Sequence, residues 1–64
     1  MVHTCTYSYD NADGKNERDI SVFTSQAKTR NGVIRAAEKS SARDVEKYHK
    51  GRFVEVLTVD GNSV

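Results

Sequence analysis

Polar and apolar positions alternate strictly at the start of the chain. From His3 to Tyr9, His3, Cys5, Tyr7 and Tyr9 fall on one side and Thr4, Thr6 and Ser8 on the other. A two-residue period with aromatic and β-branched residues is that of an extended strand. The polar run Asp10–Asn16 then intervenes, and its Asp13-Gly14 pair suits a turn that needs positive φ. Arg18–Thr24 carries Ile20, Val22 and Phe23 and reads as a second strand, so the first 24 residues predict a β-hairpin.

The period changes at Ser25, which suits the N-cap of a helix beginning at Gln26 or Ala27. Ala27, Ile34 and Ala37 share one side, flanked by Val33, while Lys28, Arg35 and Lys39 occupy the other. Asn31-Gly32 falls mid-segment, where glycine costs about 1 kcal/mol against alanine. The helix either breaks there or uses the glycine for close approach to the sheet; the continuing apolar period predicts one helix to about Lys39. Ser40-Ser41 interrupts, and Ser41 with Asp44 has the spacing of a capping box. Asp44–Lys50 then reads as a second short helix, with Val45 and Tyr48 inward and Gly51 as its stop, or as a structured loop.

Arg52–Val59 is the last strand, closed by an Asp60-Gly61 turn and a frayed tail. Simple alternation puts Phe53, Leu57 and Val59 on one face and Val54 and Val56 on the other. The expected fold is therefore α+β: one domain over residues 1–64, a three-stranded antiparallel sheet with one main helix packed on one face, in the order ββαβ. Such a helix covers only one face, so Val54 and Val56 are candidates for a self-association surface.

The segment Ser25-Gln26-Ala27 leading into Asn31-Gly32-Val33-Ile34 resembles the helix of the YegP-like domains, small ββαβ modules with a serine and alanine before Asn-Gly-Ile. The hairpin turn at Asp13-Gly14 precedes that helix at a similar spacing, so the resemblance runs from Asp13 to about Lys39. The stretch Ser40–Gly51 is longer than the connection those domains have before their last strand. The resemblance implies a ββαβ fold and sheets that pair in twos; it implies no activity.

Size and charge narrow the function. With 64 residues, 36% apolar and 30% charged, the core must be thin, and such domains often lean on disulfides, metals or partner subunits. Cys5 is the only cysteine, which excludes an internal disulfide and favours a reducing, cytoplasmic setting. The N-terminal residues do not read as a signal peptide, and no run approaches the roughly 18 apolar residues of a membrane helix. His3 and Cys5 share a strand face, but with only His49 as a further nitrogen donor a zinc set falls short, and no metal or other cofactor is expected. Cys5 activated by His49 would need a water-excluding cleft that so small a sheet lacks. No catalytic residue and no small-molecule substrate are expected.

Net charge is +1, yet Ser25–Arg52 holds eight basic against three acidic residues, while the remainder holds two against six. The molecule is electrically polarised, and Lys28, Arg35, Lys39, Arg43, Lys47 and Lys50 are the candidate contacts for a partner. The reading this supports is a small non-catalytic interaction protein of the adaptor or inhibitor kind, working through protein contacts that include a homodimer. The alternative is weak nucleic-acid binding through a row of phosphate-contacting cations, with Tyr48 nearby for stacking. A merely solvated helix face stands against both.

Overall fold

All three expected strands form, and a fourth joins them. In the computed structural model, which describes residues 1–64, β1 (Val2–Asp10), β2 (Asn16–Thr24), β3 (Arg52–Val59) and β4 (Asn62–Ser63) make one antiparallel sheet in the spatial order β2-β1-β3-β4. Helix α1 (Arg30–Asp44) packs on one face and runs into a single wide π-helical turn, Val45–His49. The class is α+β as expected; the strand count is four rather than three. No helix is long and apolar enough to cross a membrane.

The β1–β2 hairpin closes on Asn11. Its carbonyl accepts the Gly14 N–H at 2.9 Å, and its Oδ1 accepts the N–H groups of Asp13 and Lys15 at 2.9 and 3.0 Å. Gly14 supplies the positive φ expected of the Asp13-Gly14 turn (+80°), without the doubly left-handed pair of a two-residue hairpin turn. That pair occurs at the other hairpin, where Asp60 (φ +50°) and Gly61 (φ +84°) form a two-residue turn matched to strand twist. The tail consequently does not fray. Asn62 and Ser63 pair with Val59 and Thr58, and the Val64 N–H reaches the Leu57 carbonyl at 3.1 Å.

Pairing of β1 with β2 runs unbroken from Val2↔Thr24 to Asp10↔Asn16, so Cys5, Tyr7, Tyr9, Ser21 and Phe23 all face the helix. Pairing of β1 with β3 breaks twice. Tyr7 sits opposite Val56 and Tyr9 opposite Phe53, leaving Leu57 and Val54 as extra residues at two bulges. Each bulge resets the alternation, so Phe53, Val56 and Val59, three residues apart, share the helix side. The expectation for β3 is thereby corrected: Val56 is a core residue at 6% exposure, and Leu57 moves to the far face beside Thr6, Ile20 and Thr58.

Helix α1 begins later and ends later than its periodicity suggests. Ser25 stays in register with the sheet, exchanging backbone bonds with Met1, and its hydroxyl caps only a local turn at Ala27. Thr29 is the N-cap: extended at φ −115°, it accepts the Gly32 N–H on Oγ1 at 3.1 Å. Asn31-Gly32 therefore lies in the first turn, where glycine's interior penalty does not apply. A Cβ on Gly32 would come within 2.8 Å of the Ala27 Cβ, so the close neighbour is the preceding connection rather than the sheet. Ala27 itself lies before the helix and is exposed.

Ser40 and Ser41 do not interrupt α1; they seat it. Ala37 and Ser41 are both at 0% exposure, and side chains this small let the helix axis approach the sheet. Ser41 Oγ lies 3.3 Å from Cys5 Sγ. Ser21 Oγ donates to Asp44 Oδ2 at 2.7 Å and, its one proton used, accepts from Ser40 Oγ at 2.6 Å. Around this polar seam lie two small apolar clusters, one of Cys5, Phe23, Ala37, Val56 and Val59, the other of Tyr7, Tyr9 and Val45, with Phe53 packed against both. Val45 points inward as expected; Tyr48 does not, being 66% exposed. Lys50, in the left-handed region at φ +50°, ends the helical run by donating its N–H to the Val45 carbonyl. Gly51 instead provides clearance, because a Cβ there would collide with the Asp10 carbonyl.

Candidate functional site

The titratable side chains that sequence reading weighed for chemistry are engaged in structural roles. His3 Nδ1 lies 2.6 Å from Asp60 Oδ2, and its ring stacks on Phe23 with centroids 5.4 Å apart. At the opposite end of the sheet, His49 Nε2 lies 2.8 Å from Asp19 Oδ2, and its ring stacks on Tyr9 at 4.1 Å. Both histidines thus staple a connection to the sheet through one aspartate and one aromatic ring. Cys5 is 1% exposed and pairs with Ser41, so neither His3 nor His49 meets it. His, Cys, Asp and Glu side chains nowhere gather in threes that could hold a metal.

Electrostatics follow from these contacts. The His3 hydrogen bond, with the Thr4 N–H at 3.0 Å, holds the Asp60 carboxyl below its ordinary range. Burial pushes Tyr7 up to about 12, with Asp19 and Asp44 adding to the effect. Burial also raises Tyr9, whose hydroxyl donates to Glu17 Oε2 at 2.9 Å.

The six expected basic contacts are all exposed, but they do not form one surface. Arg35, Lys39 and Arg43 recur every four residues and make a solvent-facing ridge along α1. Lys47 follows at the same spacing in the π turn, its ammonium 5.3 Å from the Tyr48 ring centroid. Lys50 caps that turn, and Lys28 lies in the connection ahead of the helix. The contacts of basic side chains with carboxylates at ion-pair distance are the two histidine–aspartate ones, so the ridge cations are not neutralised by Glu38 or Asp44. Of the two self-association candidates, Val54 is 44% exposed, whereas Val56 is buried beneath the helix.

Sequence reading missed the free edge of β2, because an edge is a property of strand order. The bonds Asn11–Lys15 and Met1–Ser25 close the two ends of the β1–β2 ladder. They make the odd residues of β2 the ones bonded to β1, and the even residues turn their N–H and C=O groups outward. The first half of this edge is blunted. Glu17, Arg18 and Asp19 are charged, and Asp19 Oδ1 accepts the outward Ile20 N–H at 2.7 Å. The second half, Ile20–Thr24, carries no charge, and the outward groups of Val22 and Thr24 have no sheet partner.

A groove follows this open half. One wall is Val22, Phe23 and Thr24, with Val2 at its end; the other is Ala36, Lys39, Ser40 and Arg43 of α1. Two cations of the ridge thus rim a cleft of mixed polar and apolar lining beside an unpaired strand. Comparison with family models, curated proteins and solved structures found no match to this chain.

Proposed function

We propose that this protein is a non-catalytic binding module that takes an extended, acidic segment of a partner protein along the open half of β2. The single observation that carries this reading is the coincidence in one groove of unpaired strand groups at Val22 and Thr24 with the cations Lys39 and Arg43. Strand addition at a sheet edge uses main-chain hydrogen bonds for affinity and flanking side chains for selection. In an added strand one set of alternate side chains faces α1 beside Phe23, where Lys39 and Arg43 select acidic groups. The other set faces away from the helix beside Val22, where apolar groups pack. The ridge cations have no competing intramolecular carboxylate, so a partner's acidic groups meet them unopposed.

The test is an NMR titration with a peptide alternating valine and glutamate, against a valine–lysine counterpart. The expected result is shifts of Val22–Thr24, Ala36, Lys39 and Arg43 with the glutamate peptide only. Val22→Pro removes an outward N–H without breaking the β1–β2 ladder, and it should abolish the response while leaving the rest of the spectrum in place. Lys39→Glu with Arg43→Glu should exchange the preference toward the lysine peptide. A titration in which neither peptide moves those signals, or in which Val22→Pro binds like the parent, would sink the reading. A short oligothymidylate that binds more tightly than the glutamate peptide, with affinity falling steeply with salt, would favour the nucleic-acid alternative instead.

A further inference from the structure

The sheet face opposite the helix carries its own pattern. Across the strands, Arg18, Ser8 and Glu55 form one row, and Ile20, Thr6 and Thr58 form the next, tied by a 2.6 Å bond between the two threonine hydroxyls. Leu57, displaced to this side by its bulge, joins Ile20 and Thr58 in a shallow apolar depression bordered by Arg18. Ile20 is 61% exposed although it lies mid-strand in a chain whose core is thin.

We infer that a second copy of this chain covers this face, related by a two-fold axis lying between the two sheets and parallel to β1. The argument is charge complementarity within the row. Arg18 on β2 and Glu55 on β3 lie on opposite sides of Ser8, and neither has an ion-pair partner in its own chain. Rotation about an axis along β1 sets β2 of one copy over β3 of the other at the same height. Each Arg18 then faces the second copy's Glu55, and each Ile20 covers the second copy's Leu57 and Thr58. A row with one cation and one anion symmetric about its central strand complements itself under this operation, as an isologous contact requires. In the row beyond it Asn16 comes opposite the second copy's Arg52, while the two Asp10 side chains meet near the axis. Twisted sheets stacked face to face align within about 30°, which keeps both rows in contact near the axis. The groove along β2 lies on the helix side of the sheet, so the two surfaces are tested separately.

Sedimentation equilibrium over a concentration series reads the association, with Arg18→Glu, Glu55→Arg and the double exchange as variants; all of these side chains are exposed, so folding is not at stake. The parent should approach twice the monomer mass. Each single reversal should weaken the dimer by roughly tenfold or more, since it sets like charges against each other twice, and the double exchange should restore it. A parent that stays monomeric at millimolar concentration overturns the inference. So does a dimer indifferent to both reversals but lost in Val22→Pro, which would be an edge-to-edge pair.

Discussion

Gly51 shows how a single residue ties two ends of the chain together. Nothing about its own backbone demands glycine, since Lys50 before it takes the left-handed conformation. What demands it is the Asp10 carbonyl at the end of β1, which occupies the space a Cβ would fill. Backbone cannot step aside as a flexible side chain can, so Gly51→Ala must shift the start of β3 away from β1. Overpacking of this kind costs about 1–3 kcal/mol, and urea denaturation should show a lower midpoint with an unchanged slope. Gly14→Ala is a different case, with open space around the Cβ and a cost set by positive φ. Cys5 belongs to the same scale: its thiol is enclosed beside Ser41, a structural rather than a nucleophilic setting.

Among the elements, β3 departs furthest from its own sequence pattern. The sequence of Arg52–Val59 predicts an even two-residue alternation, yet two bulges place Phe53, Val56 and Val59 together under α1. Paired substitutions make this measurable. Val56→Ala should lower stability by about 2 kcal/mol, as loss of a buried valine does, whereas Val54→Ala at 44% exposure should change it by less than about 0.5 kcal/mol. Equal effects in chemical denaturation would mean that the bulges are not where they are described. The same bulges twist and disrupt this side of the sheet, where β4 covers only Thr58 and Val59, so β3 is protected from edge pairing by shape. β2 has no bulge, and past Asp19 it has no charge either. That contrast between the two edges is why strand addition is assigned to β2.

At the scale of the whole molecule, two buried phenols make stability fall at alkaline pH. Tyr7 and Tyr9 hold their protons more tightly folded than unfolded, Tyr7 from an ordinary 10.0 to about 12. A folded state that binds more protons loses stability as pH rises. The Tyr7 contribution is therefore complete below pH about 10 and is lost on the way to about 12, and that of Tyr9 is lost in the same direction. Unfolding free energies across that window should fall by up to about 1.4 kcal/mol per pH unit for Tyr7, and Tyr7→Phe should flatten that share of the slope. Much of this architecture was legible without coordinates. Three strands, both turn regions and the helical type of the middle segment follow from periods of two and of about 3.6, because those periods express how neighbouring residues share a face. The basic ridge was legible for the same reason, as Arg35, Lys39 and Arg43 sit one helical turn apart. The groove was not, because it needs β2 to be an outer strand and α1 to lie beside it. Nor were the faces of β3, the cap at Thr29 in place of Ser25, or the serines seated against Cys5 and Ser21 inside a continuous helix. Each of these depends on a partner distant along the chain: Met1 holding Ser25 in the sheet, Tyr7 and Tyr9 setting the register of Val56 and Phe53, Cys5 meeting Ser41. Local chemistry chose the elements, and long-range contact, where close approach and unpaired backbone carry the energy, chose which side of each element faces in and which edge stays open.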